Sequence, residues 1–504
     1  MHYSRQAHAQ PAFNPERAAI NTLKIIGNRI LQFALEPFAF TAMTRSQGGF
    51  LGVLFLLGIA HWCLFMQAGE LFFNSGDWAK EYKYFAVLQE AVQTGRMPYH
   101  VSVPLSLMST QRFMAIPETL SLFWPPTLLL IFLNVKQFIL ANTLILYSVG
   151  FAGCLLIRNR YRLSPFIFLL LFTLFNFNGY ITAHLAAGHS MWVGYFFLPM
   201  IAYFLLKILE QQDGWAASGW LAASLFGMLL QGAFHMFIWC LMFLGLALIG
   251  TRGFRPRAQI LTAILLGMLL SVLRLWPALL LGNVSRGVES GYNSWRLFLN
   301  ALIRIQPWDL QIRPGIFFWE YDFYISAAGL FFIVVFGLGF RFYRDRRLAE
   351  VRYPGLDLAL LGMLILSAGN SYQWLAAHIP VRLLALERVP TRFLVIPFIF
   401  LLIPACIRAQ KTIQSICRKP ALAWLALAAA GALMIMLACH SYRWRAAIVK
   451  PFNDQQLSAP LIVTLPDALY INRLHVAMAV SLVTGMVLTV IWLVRMKSGR
   501  EGRN

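Results

Sequence analysis

Apolar residues run along this chain in blocks separated by short polar stretches. The first block, "GGFLGVLFLLGIAHWCLFMQA", covers residues 48–68. Eleven more follow, at roughly 138–157, 164–181, 191–208, 216–231, 234–250, 260–281, 325–341, 357–370, 393–408, 420–440 and 475–496. Crossing a bilayer as a helix takes about 20 apolar residues, and a helix satisfies its own backbone polar groups inside lipid. The pattern predicts an all-α polytopic membrane protein with about twelve transmembrane helices. The segment "LFWPPTLLLIFLN" (122–134) is too short to cross, and its paired prolines suit a helix start lying in the interface. Ahead of the first block, "INTLKIIGNRILQFALEPFAF" reads as an amphipathic surface helix.

The polar stretches orient these blocks. "RNRYR" (158–162), "TRGFRPR" (251–257), "RFYRDRR" (341–347), "RAQKTIQSICRK" (408–419) and the tail "RMKSGREGR" (495–503) fall on one side. Basic loops mark the cytoplasmic side, so both termini are expected inside. The other side carries the longer loops, 69–137, 282–324, 370–393 and 441–474. Three segments follow: a cytoplasmic start (1–47), a transmembrane module (48–408), and C-terminal helices with a basic tail (409–504). Long aromatic-rich loops on one face suggest that the work is done there. That face has no ATP or nucleotide sugar, so a transferred group must arrive activated, most simply on a lipid.

Composition removes several classes. The chain is 59% apolar and 12% charged, against about 25% charged in soluble domains. The net charge of +22 is explained by cytoplasmic loops, and no nucleic-acid-binding motif accompanies it. Six cysteines without a CxxC predict neither a disulfide nor a zinc finger. The first residues, "MHYSRQAHAQPAFNPERAA", lack the apolar core of a signal peptide, so the first span is expected to act as an uncleaved anchor. Walker A, GxSxG and HExxH sequences are absent. Scarce charge inside the blocks argues against an ion-coupled transporter. Arg274 and His61 lie inside blocks with no assignable role.

Acids are rare, 20 in 504 residues, which makes "NSGDWAKEYKYFAVLQEAV" (74–92) conspicuous. Ser75 is a plausible N-cap, and Trp78 to Thr94 is a helix-compatible run. Asp77 at its start gains from the helix dipole, and fits a general base or a metal ligand. A capping role alone explains it equally well. His184 and His189, in "ITAHLAAGHSMW", are five apart, not the i, i+4 spacing of a helical metal pair. They suit phosphate contact, metal ligation or a plain interfacial turn. Glu387, Arg388 and Arg392 in "ALERVPTRF" open a late block on the outer side. Arginine presents a fork suited to phosphate oxygens; snorkelling to headgroups is the alternative. Glu320 and Asp322 lie among the aromatics of "WDLQIRPGIFFWEYDFYISAAG" (308–329). They are candidate second acids within what otherwise reads as an interfacial aromatic belt.

The order of these features resembles the GT-C superfamily of membrane glycosyltransferases, in its bacterial, poorly characterised branch. An acid opens the first outer loop, a proline-bearing interfacial helix follows, then Gly179, Tyr180, Gly188, His189 and Pro199, and finally Arg388 to Phe393 before a span. The resemblance covers most of the first ten blocks. It implies a sugar moved from a polyprenyl-phosphate donor to an envelope glycan, lipid or protein acceptor, with inversion. Asp77 takes the position of the base. Arg388, Arg392, His189 and Lys80 fall to the donor phosphate, with Lys83 nearby. Glu81, Glu320, Asp322 and His184 remain candidate second acids or metal ligands. A divalent metal, Mg or Mn, is used by some members only, and Asp77 is followed by Trp78 and Ala79 instead of completing a paired acidic motif. The alternatives are a non-catalytic GT-C-like assembly protein and a transporter or flippase of lipid-linked saccharides. Against the latter, residues 1–250 and 251–504 show no convincing repeat.

Overall fold

A computed structural model describes residues 15–37, 43–67, 77–105, 110–211, 214–281, 288–307, 310–339, 353–378, 387–416, 420–448 and 460–501. Helix accounts for 77% of it and strand for 4%, which makes it an all-α membrane protein. The helices are α1 (Pro15–Leu35), α2 (Arg45–Phe65), α3 (Trp78–Thr94), α4 (Val135–Tyr161), α5 (Pro165–Asn176), α6 (Gly179–Ala186), α7 (Leu198–Leu209), α8 (Ala216–Leu230) and α9 (Phe234–Gly250). Then come α10 (Phe254–Ala278), α11 (Trp295–Ile303), α12 (Ser326–Phe332), α13 (Pro354–Ser367), α14 (Ser371–His378), α15 (Val395–Ile416), α16 (Pro420–Ile448) and α17 (Ala468–Glu501).

Every expected apolar block is helical, but the blocks are unequal. Among the described residues eight are helices long and apolar enough to cross a membrane. The other four, at 216–230, 234–250, 326–338 and 355–367, are apolar but short. Gly232, at φ +89°, turns the chain between α8 and α9, and α12 passes into a π-helical turn over Ile333–Leu338. The block expected at 164–181 runs on to Ala186, because α5 and α6 are joined with only a short break. There Asn178 caps α6 through Ile181 N–H and donates to Leu174 O and Phe175 O.

The two ends of the bundle differ chemically. At one end the basic turns meet: Arg160 pairs with Glu210, which also accepts from Tyr161 Oη (2.7 Å) and Tyr353 Oη (2.6 Å). At the same end Gly250 packs on Gly355, and Arg257 Nε donates to Thr251 O. The opposite end gathers the long loops into a polar layer. The basic loop 341–347 lies outside the described residues.

That layer includes strands the apolar pattern did not reveal. β1 (His100–Leu105) pairs antiparallel with β2 (Thr110–Arg112) and with β5 (Ile462–Val463), so the first and last long loops share a sheet. The strands are only two to six residues long, below the length at which alternation is readable. Glu90 on α3 accepts from Leu461 N (2.7 Å) and Ile462 N (3.1 Å), and Asp467 accepts from Arg112 Nε (2.6 Å). A second hairpin joins β3 (Gln311–Arg313) to β4 (Ile316–Phe317). The proline segment forms a 3₁₀ helix over Pro125–Ile131 beside α3, as its prolines suggest.

Arg274, without an evident role in the sequence, anchors the layer to the bundle. It is fully buried in α10. Its guanidinium donates to Ile116 O (2.7 Å), Thr119 O (2.7 Å), Thr119 Oγ1 (2.9 Å) and Met114 O (3.5 Å). Four oxygens thus replace the acid expected beside a buried cation. The same loop is held from its other side. Ser121 N–H donates to Leu230 O (2.8 Å), and a Cβ on Gly232 would lie 2.7 Å from the Thr119 carbonyl. Arg274→Met removes the donors and strands buried carbonyls, at about 1–3 kcal/mol per unpaired group. We expect a loss of roughly 2–4 kcal/mol, measured as a lowered thermal midpoint in detergent, with new protease cleavage between residues 113 and 119.

Candidate functional site

The helix expected from Trp78 to Thr94 is α3, with those bounds. Ser75 lies outside the described residues. Asp77 occupies the N-cap position, but its carboxylate makes no capping hydrogen bond. Capping therefore does not account for it. What fixes the start of α3 is the turn after α6. Asp77 N–H donates to Ala187 O (2.9 Å), and Trp78 Nε1 donates to Ala186 O (3.3 Å). Gly188, at φ +95°, lets the backbones touch: a Cβ there would lie 2.3 Å from Trp78 N. Only glycine combines that conformation with that approach. The carboxylate of Asp77 is 39% exposed, accepts from Lys80 Nζ at 2.7 Å and lies 3.6 Å from His189 Nε2.

Behind Asp77 the two histidines are stacked. His184 Nδ1 and His189 Nδ1 are 3.0 Å apart, so one donates to the other. A His189 Nε2–H facing Asp77 makes His189 Nδ1 the acceptor and His184 the donor. Trp192 stacks on His184 at 4.1 Å between ring centres, and the Arg392 guanidinium sits 4.9 Å from its ring, a cation–π contact. Trp319 meets His189 edge-on at 5.0 Å. The aromatics expected as an interfacial belt are instead internal: Phe318, Tyr321, Phe323 and Tyr324 are buried.

Around this stack lies a run of ion pairs. Arg392 binds Glu320 with both arms, Nε to Oε2 and Nη2 to Oε1 at 2.7 Å each, and reaches Glu387 through Nη1 (3.1 Å). Arg388 reaches Glu320 at 3.3 Å. Glu387 Oε2 lies 3.1 Å from His235 Nδ1, and His235 Nε2 lies 3.1 Å from Glu118 Oε1. Burial alone would raise Glu387, but Arg392 and His235 outweigh it and hold the carboxyl below its ordinary value. Lys80 is raised, because Glu81, Asp77 and Glu118 outweigh the lowering effect of burial.

Asp77, Lys80, Glu81, His184, His189, Glu320, Arg388 and Arg392 belong to this neighbourhood, and Asp322 does not. Asp77, Lys80, His184 and His189 form one part, and Glu320, Arg388 and Arg392 the other, with Trp192 between them. Arg392 was expected to grip a phosphate, but it is engaged by two carboxylates. Asp322 turns to other partners: Oδ2 accepts from His440 Nε2 (2.9 Å) and Trp444 Nε1 (2.8 Å), and Oδ1 from Tyr324 N–H (2.9 Å). It fastens α16 to the outer layer. Glu118, His235 and Trp192 went unnoticed in sequence. Glu118 is a lone acid in "AIPETL", and His235 follows a Gly-Ala-Phe turn; their proximity depends on a contact 117 residues long.

Among the described residues no three His, Cys, Asp or Glu side chains converge to hold a metal ion. Glu81, Glu320, Asp322 and His184 each face partners of their own instead of a common point. These residues therefore do not fit the Mg or Mn that the resemblance allows, and no step below uses one.

Glu81 has its own chemistry. It is buried, Oε2 accepts from Ser190 Oγ (2.6 Å), and Oε1 is 3.6 Å from Lys80. Burial pushes its carboxyl up to about 7, against the opposing pull of Lys80 and Ser190. Below about pH 4.5 it is neutral in both folded and unfolded chains and contributes no pH dependence. Between there and about pH 7 the native state keeps a proton that the unfolded chain has lost, so stability falls as pH rises. The total is on the order of 3 kcal/mol. Glu81→Gln should flatten the fall in thermal midpoint between pH 5 and pH 8 and exceed wild type at the alkaline end. An unchanged slope would contradict the burial argument.

Comparison of the chain with protein-family models, with curated proteins and with solved structures finds no match. The functional reading rests on the geometry above and on the order of motifs in the sequence.

Proposed function

We propose that this chain is a GT-C-like membrane glycosyltransferase. On this reading all twelve apolar helices cross, the termini are cytoplasmic, and the polar layer faces outward from a bacterial inner membrane. The observation that carries the proposal is the setting of Asp77. It is a half-exposed carboxylate on a helix fixed by the Gly188 turn, next to Lys80 and His189. A scaffold that holds an acid in place without using it as a cap suits a reacting group.

The donor is a polyprenyl-phosphate sugar, and the acceptor an envelope lipid, glycan or protein hydroxyl. Its phosphate meets Lys80 and Arg388, whose side chains are 21% and 36% exposed. Arg392 acts behind them, holding Glu320 so that Arg388 is oriented. A phosphate that draws Lys80 away from Asp77 releases the carboxylate to take the acceptor proton. The acceptor oxygen then forms its bond to the anomeric carbon as the carbon–oxygen bond to phosphate breaks. The electron pair leaves on the polyprenyl phosphate, whose charge Lys80, Arg388 and His189 compensate. Attack opposite the leaving group inverts the centre.

One observation favours a second reading. The ions of the site, Lys80 and Arg388 included, pair with one another, as they would in a non-catalytic relative serving as an assembly partner. A general base contributes about 100- to 10,000-fold. Asp77→Asn should therefore reduce transfer by that factor, with expression and membrane insertion intact. Mass spectrometry of envelope glycolipids and glycans, with and without the gene and with the variant, reads the outcome. Full product from Asp77→Asn would sink the enzymatic assignment and leave the assembly reading.

A further inference from the structure

Six charges follow one another across the outer layer: Glu118, His235, Glu387, Arg392, Glu320 and Arg388. Consecutive members are 2.6 to 3.3 Å apart. Three of the four inner members are almost inaccessible, Glu387 at 4%, Arg392 at 9% and Glu320 at 0% exposed, and the fourth, His235, is 17% exposed. The two ends are open, Glu118 at 30% and Arg388 at 36%. The run thus presents one carboxylate and one guanidinium outward, with their mutual charge carried inside.

His235 decides whether the run is continuous. Each of its ring nitrogens lies 3.1 Å from a carboxylate oxygen, Nε2 from Glu118 and Nδ1 from Glu387. A neutral imidazole has one N–H and one lone pair, and would turn that lone pair on a carboxylate. Only the imidazolium places a proton toward both. His189, on the Gly188 turn, also interacts with it, and beyond its two carboxylates lie Arg392, in the 3₁₀ turn before α15, and Lys80, on α3. Trp192 stacks along its ring.

The loop that carries Glu118 is also held unusually firmly. Arg274 binds its oxygens four times from α10, and Gly232 packs flush against Thr119 from the turn that leads into His235. Both ends of the Glu118–His235 contact are therefore fixed by backbone. Such a frame has little purpose for a surface acid, and much for one that must meet a ligand.

We infer that Glu118 is a second ligand-contacting carboxylate, held toward the site by a His235 imidazolium and by the Arg274 clamp. Glu118 accepts hydroxyl hydrogens of the sugar, while Arg388 and Lys80 take its phosphate. His235 and Arg274 are positioning residues. The identity of the ligand rests on the transferase reading; the charge state of His235 does not.

Two measurements on the full chain in nanodiscs test this separately. In the first, ring ¹⁵N shifts of labelled histidines are recorded, with His235→Asn giving the assignment. His235 should show two N–H groups at neutral pH, and Glu118→Gln should shift part of the population to a single N–H. A single N–H at neutral pH, or no response to Glu118→Gln, overturns the link. In the second, native mass spectrometry compares undecaprenyl phosphate with its glucosyl, mannosyl and arabinosyl esters in an Asp77→Asn background. Glu118→Gln should weaken whichever sugar ester binds best by about tenfold, and leave sugar-free undecaprenyl phosphate unchanged. Glu118→Asp, which keeps the charge, should lose less. Equal loss for both lipids, or none, overturns the carboxylate's role. If the wild type binds no lipid of the set, the transferase reading and the sugar-contact role fail together, and the histidine result still decides the imidazolium link.

Discussion

A guanidinium at the head of an apolar helix must be paired. Arg392 stands where the chain enters a 24-residue apolar helical segment that is buried along its length, and leaving such a charge uncompensated costs several kcal/mol. Glu320 and Glu387 meet this demand, one from the loop before α12 and one from just before the helix itself. Once those pairs form, much else follows. Thr391 Oγ1 donates to Glu320 O (2.7 Å), which fastens the aromatic segment 318–324 against the same helix. Trp192 lies against Arg392, the stacked histidines lie against Trp192, and Asp77 lies against His189. The pairing of one cation thus gathers elements separated by hundreds of residues at one end of the bundle.

Much of the architecture was legible in sequence because bilayer thickness imposes a length on apolar blocks. The helix over Trp78–Thr94 and the proline-led 3₁₀ turn were legible for local reasons, namely composition and the fixed φ of proline. The strands were not, since two to six residues of a β2–β1–β5 sheet carry no readable alternation. Nor was the difference between long and short apolar helices, of which the turn at Gly232 between α8 and α9 is one source.

The candidate site was half legible, and the division has a physical basis. Asp77, His189, Arg388 and Arg392 stand out because charge beside an apolar block is rare and expensive. Their partners do not stand out. Glu118 lies in an ordinary polar loop, and His235 is one histidine in a hydrophobic run. Arg274 was visible but uninterpretable, because its partners are backbone carbonyls, which every residue has. Asp322 shows the opposite failure. Its type and place suggested reactivity, while its three hydrogen bonds to Tyr324, His440 and Trp444 make it a fastener. Sequence identifies groups that are costly to place; only tertiary contact says whether the cost is met internally or kept for a ligand.

What distinguishes a transferase from an inert relative here is whether the Lys80–Asp77 pair opens for a lipid phosphate. An electron cryomicroscopy structure of the chain in nanodiscs with undecaprenyl phosphate tests this most directly. The account predicts phosphate density within hydrogen-bonding reach of Lys80 and Arg388, with Lys80 moved off Asp77 and that carboxylate facing open space beside the phosphate. Phosphate bound elsewhere, with the 2.7 Å Lys80–Asp77 contact intact, would contradict it.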